Sequence, residues 1–307
     1  MEHERFLDYI RFEKRCSGNT YISYKKDLEQ FKYYLEDTYE ITDLTKASHQ
    51  HIRSWVVLLM ETLSPVTIRR KLSALRSFYK YLRGNGLLDQ DPMGKLVLPK
   101  IGKRVPSFID NEGMNKLLYD DDFYPEGYDG ILHKTIIITF YGTGIRRAEL
   151  LHLKDHDIDV SRKVLKVMGK RNKERFVPLN HKTLSVLSNY LIVKRNNVKQ
   201  APENSFLFVD IKGKPLYADK VYTIVNKYLS QVSSLKKTSP HVLRHTFATH
   251  LLNNGADINS IKEMLGHSSL AATQMYTHST IEELKSIYNQ AHPFENEDAA
   301  EKKGDEL

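Results

Sequence analysis

The sequence predicts a mainly α-helical chain of two domains with one small β-hairpin or sheet. Three observations carry this. Apolar and aromatic residues recur at spacings of three and four through most of the chain. Two short β-rich runs lie back to back near its middle, and a Pro- and Gly-containing stretch between Pro92 and Pro106 interrupts the helical pattern. At 307 residues, 40% of them hydrophobic, the chain is longer than one average domain and can bury more than one core.

The first segment reads as four helices. Phe6, Tyr9, Ile10, Tyr24, Leu28, Phe31 and Leu35 keep the amphipathic spacing, and Ser17, Gly18 and Asn19 split this run in two. A third helix follows Ile52, Trp55, Val56, Leu59 and Met60. A fourth starts at Ser64, with Pro65 in the favoured first turn, and runs through Ile68, Leu72, Leu75, Phe78, Tyr79 and Leu82. The fourth also carries Arg69, Arg70, Lys71, Arg76 and Lys80, a basic set suited to phosphates or simply to solvent. The stretch DPMGKLVLPKIGKRVP has little room for regular structure. The expected division is therefore a helical domain over residues 1–98, a linker over 99–106 and a second domain over 107–294.

That second domain opens with a helix after Asp110, an acidic loop DDDFYPEGYDG and an apolar helix ILHKTIIITFYGTG. The runs RKVLKVM and ERFVPL flank GKRN and predict a hairpin with its turn near Gly169 to Asn172. Leu184, Leu187 and Leu191 carry a helix over 182–194, and further helices are expected over roughly 218–231, 240–253, 257–265 and 269–290. The tail over 295–307 is acidic, short of apolar residues and expected to be disordered. No internal repeat occurs.

Charge narrows the class of partner. The net charge of +8 divides into +6 over residues 1–105, +6 over 106–294 and −4 over 295–307. A basic excess in both main segments suits an anionic polymer gripped from two sides, although a solvated Lys-rich surface gives the same balance. The single Cys16 excludes an intramolecular disulfide framework and has no companions for a metal site. The start of the chain interleaves charged with apolar residues, and nowhere do 18 apolar residues run together, so a cytoplasmic protein without membrane contact is expected.

Four segments carry candidate chemistry. In HVLRHTFATHLL, Leu243, Phe247 and Leu251 form one helical stripe, while His241, Arg244 and His245 share the opposite side. A solvated basic face would look the same. The His spacing lacks the glutamate of a metalloprotease helix. In FYGTGIRRAELLHL, a Gly-bounded turn precedes Arg146, Arg147 and Glu149 at a helix start, an arrangement suited to an anion. GKRN puts Lys170 at a hairpin tip, and it lacks the residues of a phosphate-binding P-loop. In LGHSSLAATQMYTHST, His267 precedes Tyr276, one of 18 tyrosines. A phenol with a pKa near 10 becomes a nucleophile at neutral pH only with a base or stabilising cations.

Taken in order, TGIRRAELLHL, GKRNKERFVPL, HVLRHTFATHLL and LGHSSLAATQMYTH resemble the tyrosine recombinases, most closely the Xer-type enzymes and related integrases. The resemblance spans nearly the whole chain. It implies a two-domain, C-shaped DNA clamp, with an N-terminal core-binding bundle and a mixed α/β catalytic domain. It further implies that Arg146, Lys170, His241, Arg244, His267 and the nucleophile Tyr276 are catalytic, with Glu149 supporting Arg146. Arg171, which stands where the family more often has glycine, and Lys173 join Arg69, Arg70, Lys71, Arg76 and Lys80 as implied DNA contacts. The implied reaction joins Tyr276 to a DNA 3′-phosphate and needs no metal, ATP or other cofactor. The implied partners are double-stranded DNA with a specific recombination site and either a homo-tetramer on DNA or a hetero-tetramer with a second recombinase, at the nucleoid. Two rival readings share some of these features, a type IB topoisomerase and a non-catalytic architectural DNA-binding protein.

Overall fold

The computed structural model describes residues 1–100, 108–169, 173–198, 205–235, 238–266 and 278–293, with backbone alone at 278–280. They fall into two units, divided between Arg104 and Val105. In the first unit α1 (Glu2–Asp8) continues into a π-helical turn over Tyr9–Glu13 and is followed by α2 (Gly18–Tyr39), α3 (His49–Thr62) and α4 (Pro65–Gly84). Ser17, Ser48 and Ser64 cap the last three by accepting from Thr20, His51 and Thr67 backbone N–H groups. The expected break and first-turn proline thus sit where the spacing put them. Phe6, Phe31, Trp55 and Phe78 fill the core, with Phe31 and Trp55 rings 4.9 Å apart.

The second unit contains α5 (Asn111–Tyr119), α6 (Tyr128–Thr143), α7 (Arg147–His152), β1 (Ile158–Asp159), β2 (Val164–Met168), β3 (Glu174–Pro178), α8 (His181–Asn197), α9 (Ala218–Val232), α10 (Pro240–Asn253), α11 (Ile258–Met264) and α12 (His278–Ala291). α6 is apolar on nearly every side and runs through the core, with α8, α9 and α10 laid around it. The sheet is antiparallel, in the order β1-β2-β3, and pairs Val167 with Arg175 and Met168 with Glu174. β1 was not expected, because two residues are too short to show a period in sequence. The helix expected over 269–290 is described from His278 onward; 269–277, residues 101–106 of the linker expected over 99–106, and the acidic tail lie outside the described residues.

α12 is held by Ile281, Leu284, Tyr288 and Ala291, all buried. Tyr288 Oη donates to Gly142 O at 2.6 Å, and Asn180 Nδ2 donates to Tyr288 Oη at 2.9 Å. The helix that follows Tyr276 in sequence is thereby fastened to the end of α6, where the candidate site begins.

Candidate active site

α6 stops at Gly144, which has a φ of +60° and donates its N–H to Phe140 O at 2.9 Å. A Cβ at this position would come within 2.5 Å of the Phe247 ring and 2.8 Å of Leu265, so glycine lets α10 and the end of α11 close against the turn. Two residues on, Arg146 is the N-cap of α7 and donates its backbone N–H to Glu149 Oε2 at 2.7 Å. Its Nη1 donates to Glu149 Oε1 at 2.7 Å and its Nη2 to Gly266 O at 3.1 Å. Arg147 turns away and donates to Ala218 O at 3.4 Å, at the start of α9. Of the two adjacent arginines, Arg146 is the one at the cluster.

Arg244 enters from α10 and is buried. It donates to Gly144 O, and from Nη2 to Leu265 O at 2.7 Å. Burial, followed by the positive charge of Arg146, lowers its pKa to about 10, so it stays charged at neutral pH. His241, one turn earlier on α10, stands at the rim. Desolvation of its ring, then the charges of Arg244, Arg147 and Arg146, hold its pKa below the ordinary histidine value, which leaves it neutral at pH 7.

Glu149 lies beneath the arginines. Burial pushes its carboxyl up, but hydrogen bonds and charge from Arg175, then from Arg146, outweigh this and hold it below the usual glutamate range. Arg175, on β3, donates Nη1 and Nη2 to the two Glu149 oxygens, each at 2.9 Å, and Nε to Met264 O at 3.0 Å. Two guanidinium groups therefore bind a single carboxylate, and a third, that of Arg244, feels its charge. The surplus of positive charge at a partly open helix start can receive an anion such as a phosphodiester.

Lys170, Arg171, His267 and Tyr276 lie outside the described residues, and Lys173 is exposed at the foot of β3. On α4, Arg69, Arg76 and Lys80 are exposed and share one face at helical spacing. Arg70 is also exposed, but its guanidinium pairs with the fully buried Asp27 through both nitrogens. Lys71 corrects the expectation made for it. Its ammonium is buried, 3.1 Å from Asp27 Oδ1 and bonded to Gln30, because Asp27 needs cationic partners inside the bundle.

Residues 108–283 match the phage integrase family, and residues 3–86 match the phage integrase N-terminal SAM-like domain. The chain belongs to the tyrosine recombinases of the phage integrase family. Members of that family cleave and rejoin DNA. The recombinase is 34% identical to the tyrosine recombinase XerC of Chlorobaculum parvum over 94% of each chain. It is 33% identical to the tyrosine recombinase XerD of Staphylococcus haemolyticus, covering 94% of this chain and 98% of that one. The fold is shared with the Tn1549 transposon integrase in complex with transposon right end DNA, at a TM-score of 0.70 and 19% identity over 98% of both chains. It is also shared with the XerH site-specific recombinase bound to its difH substrate, at a TM-score of 0.66 and 24% identity, over 93% of this chain and 84% of that one.

In the recombinase, Arg175 is the residue that motif reading passed over. A signal was present. In ERFVP, Arg175 is buried together with Val177 and Pro178 and alternates with the less buried Glu174 and Phe176, so a charged residue occupies the inward face of a strand, where it needs a carboxylate.

Proposed function

We propose that the recombinase cuts and rejoins double-stranded DNA at a specific site through a covalent 3′-phosphotyrosine at Tyr276. The convergence of Arg146 and Arg244, from elements nearly one hundred residues apart, on the same helix end carries this reading. Tyr276 Oη attacks phosphorus in line with the 5′ oxygen; the bond to the 5′ oxygen breaks as the phosphotyrosine bond forms. Arg146 and Arg244 clamp the non-bridging oxygens as charge builds on them, and His267 donates to the same oxygens. His241, neutral at pH 7, takes the phenol proton, and Lys170 supplies a proton to the leaving 5′ oxygen. Religation reverses these transfers, and the bond energy kept in the phosphotyrosine makes an energy source unnecessary.

DNA is contacted by both units, through Arg69, Arg76 and Lys80, with Arg70, in the first, and through Arg171 and Lys173 in the second. Within the first unit, residues 1–98 act as the core-binding domain, and residues 107–294 carry out the chemistry. Strand exchange takes place in a tetramer on DNA, built from copies of this chain or with a second recombinase, in the cytoplasm at the nucleoid. The occurrence of both XerC and XerD among the relatives supports a pair of recombinases.

Denaturing capture of protein-linked DNA from cells, followed by mapping of the bound ends, tests this directly. A discrete locus recovered with wild type and lost with Tyr276→Phe is the expected result. Adduct that persists in that variant removes the assignment of the nucleophile. Relaxation of plasmids lacking the mapped locus would point to a topoisomerase, and binding with no adduct to an architectural protein.

A further inference from the structure

The last residue of α11 and the two that follow it present three successive carbonyls that each accept from a different arginine. Met264 O takes Arg175 Nε at 3.0 Å, Leu265 O takes Arg244 Nη2 at 2.7 Å and Gly266 O takes Arg146 Nη2 at 3.1 Å. The last carbonyls of a helix have no partner within it and carry the negative end of its dipole, so three cations there are both hydrogen-bonded and electrostatically favoured. Two of the three belong to the proposed phosphate clamp. Arg175 differs from them. It is only 5% exposed, and all three of its nitrogens are engaged, two with Glu149 and one with Met264.

Arg175 therefore joins three parts of the site. Through Glu149 it reaches Arg146, since Glu149 Oε1 accepts from both Arg175 Nη1 and Arg146 Nη1. Through Met264 it holds the end of α11, immediately before His267 in sequence. Through β3 it is attached to the hairpin on which Lys170 lies in sequence, and Gly169 N–H donates to Lys173 O at 2.7 Å to join the two strands. Gly266 allows the arrangement. Its φ is +65°, and a Cβ there would lie 3.1 to 3.2 Å from Arg175 Nε, Cδ and Cζ.

We propose that Arg175 is a positioning residue for DNA cleavage, aligning Arg146 through Glu149 and fixing the end of α11 through Met264 O, without itself touching DNA. The inference rests on the recombinase chemistry proposed above. A lysine at 175 keeps the buried charge but has one nitrogen, which cannot bridge both carboxylate oxygens and also reach Met264 O.

The test uses the full-length protein and a nicked suicide duplex cut from the mapped locus, with binding constant and single-turnover adduct rate at saturating DNA measured separately. Arg175→Lys is expected to bind within about twofold of wild type and to form adduct about 10- to 100-fold more slowly, the scale usual for residues that orient a reacting shell. In a Glu149→Gln background the same substitution should cost several-fold less, because the path through the carboxylate is already broken. Arg175→Lys cleaving at the wild-type rate overturns the proposal. So does equal loss of binding and cleavage, which marks a purely structural role, or full additivity with Glu149→Gln. If the wild type itself yields no adduct on the captured duplex, the recombinase reading has failed, and that outcome is separate from these.

Discussion

Arg175 and Glu149 face each other through two parallel hydrogen bonds of 2.9 Å, with both side chains 5% exposed. Breaking one partner of such a pair leaves an uncompensated charge in the interior, at a cost of about 3–5 kcal/mol. Glu149→Ala should lower the urea-unfolding free energy by that amount, and Glu149→Gln by less, since the amide still accepts from one arginine. The Glu149 carboxyl is depressed in the folded state, so its contribution is present above the ordinary glutamate pKa and is lost as pH falls through the depressed value. A Glu149→Ala protein as stable as wild type would show that the pair contributes nothing.

Arg244→Ala should bind DNA but cleave it about 100- to 1,000-fold more slowly, because one fixed donor to the developing phosphoryl charge is removed. The same substitution frees Gly144 O and Leu265 O, so some thermal stability should go with it. Gel-shift titration beside adduct kinetics separates the two effects. Cleavage near the wild-type rate would mean that Arg244 does not meet the phosphate.

The His241 pKa lies below the ordinary histidine value, first through desolvation and then through three neighbouring arginines. As a proton acceptor it works when neutral, so the adduct rate at saturating DNA should hold steady from pH 8 down past 6.5 and fall only at lower pH. His241→Gln should be slow and lack that acid limb. An inflection at or above 6.5 in the wild type would refute the role given to His241.

His292 is fully buried beside Tyr288 and Tyr141, and desolvation lowers its pKa to about 3. The unfolded chain binds this proton from about pH 6.5 downward and the folded chain does not, so stability falls as pH drops between these values, by about 1.4 kcal/mol per pH unit for one proton. Half-buried His133 and buried His250 are shifted the same way. His292→Gln should therefore reduce the slope of unfolding free energy against pH by one proton, as measured by denaturation at pH 6 and pH 5. An unchanged slope would show that His292 does not keep its neutral form.

On α4, Arg69, Arg76 and Lys80 are exposed, whereas Lys71 is not. Neutralising the three exposed residues should reduce the slope of log binding constant against log salt by up to about 2.7, at about 0.9 per phosphate contact. Lys71→Met should leave the slope unchanged and destabilise the first unit instead. A salt slope that responds to Lys71 but not to the other three would reverse these assignments.

Much of this protein was determined locally and so was legible in its sequence. The helices of the first unit follow from apolar spacing, serine caps and Pro65, because each depends on neighbours within a turn or two. The hairpin runs and the turn at Gly144 were equally readable, and four ordered motifs were enough to indicate the family. The tertiary structure decided what each charged side chain does. Arg146 and Arg147 are adjacent in sequence, yet one meets Glu149 and the other Ala218; Arg70 and Lys71 are drawn to an aspartate 43 and 44 residues away. Arg175 gave only the hint of a charge on the inward face of a strand, and its partners, Glu149 and Met264, lie 26 and 89 residues distant. Periodicity records which face of an element is buried, but the partner of a buried charge is fixed by which distant element closes over it.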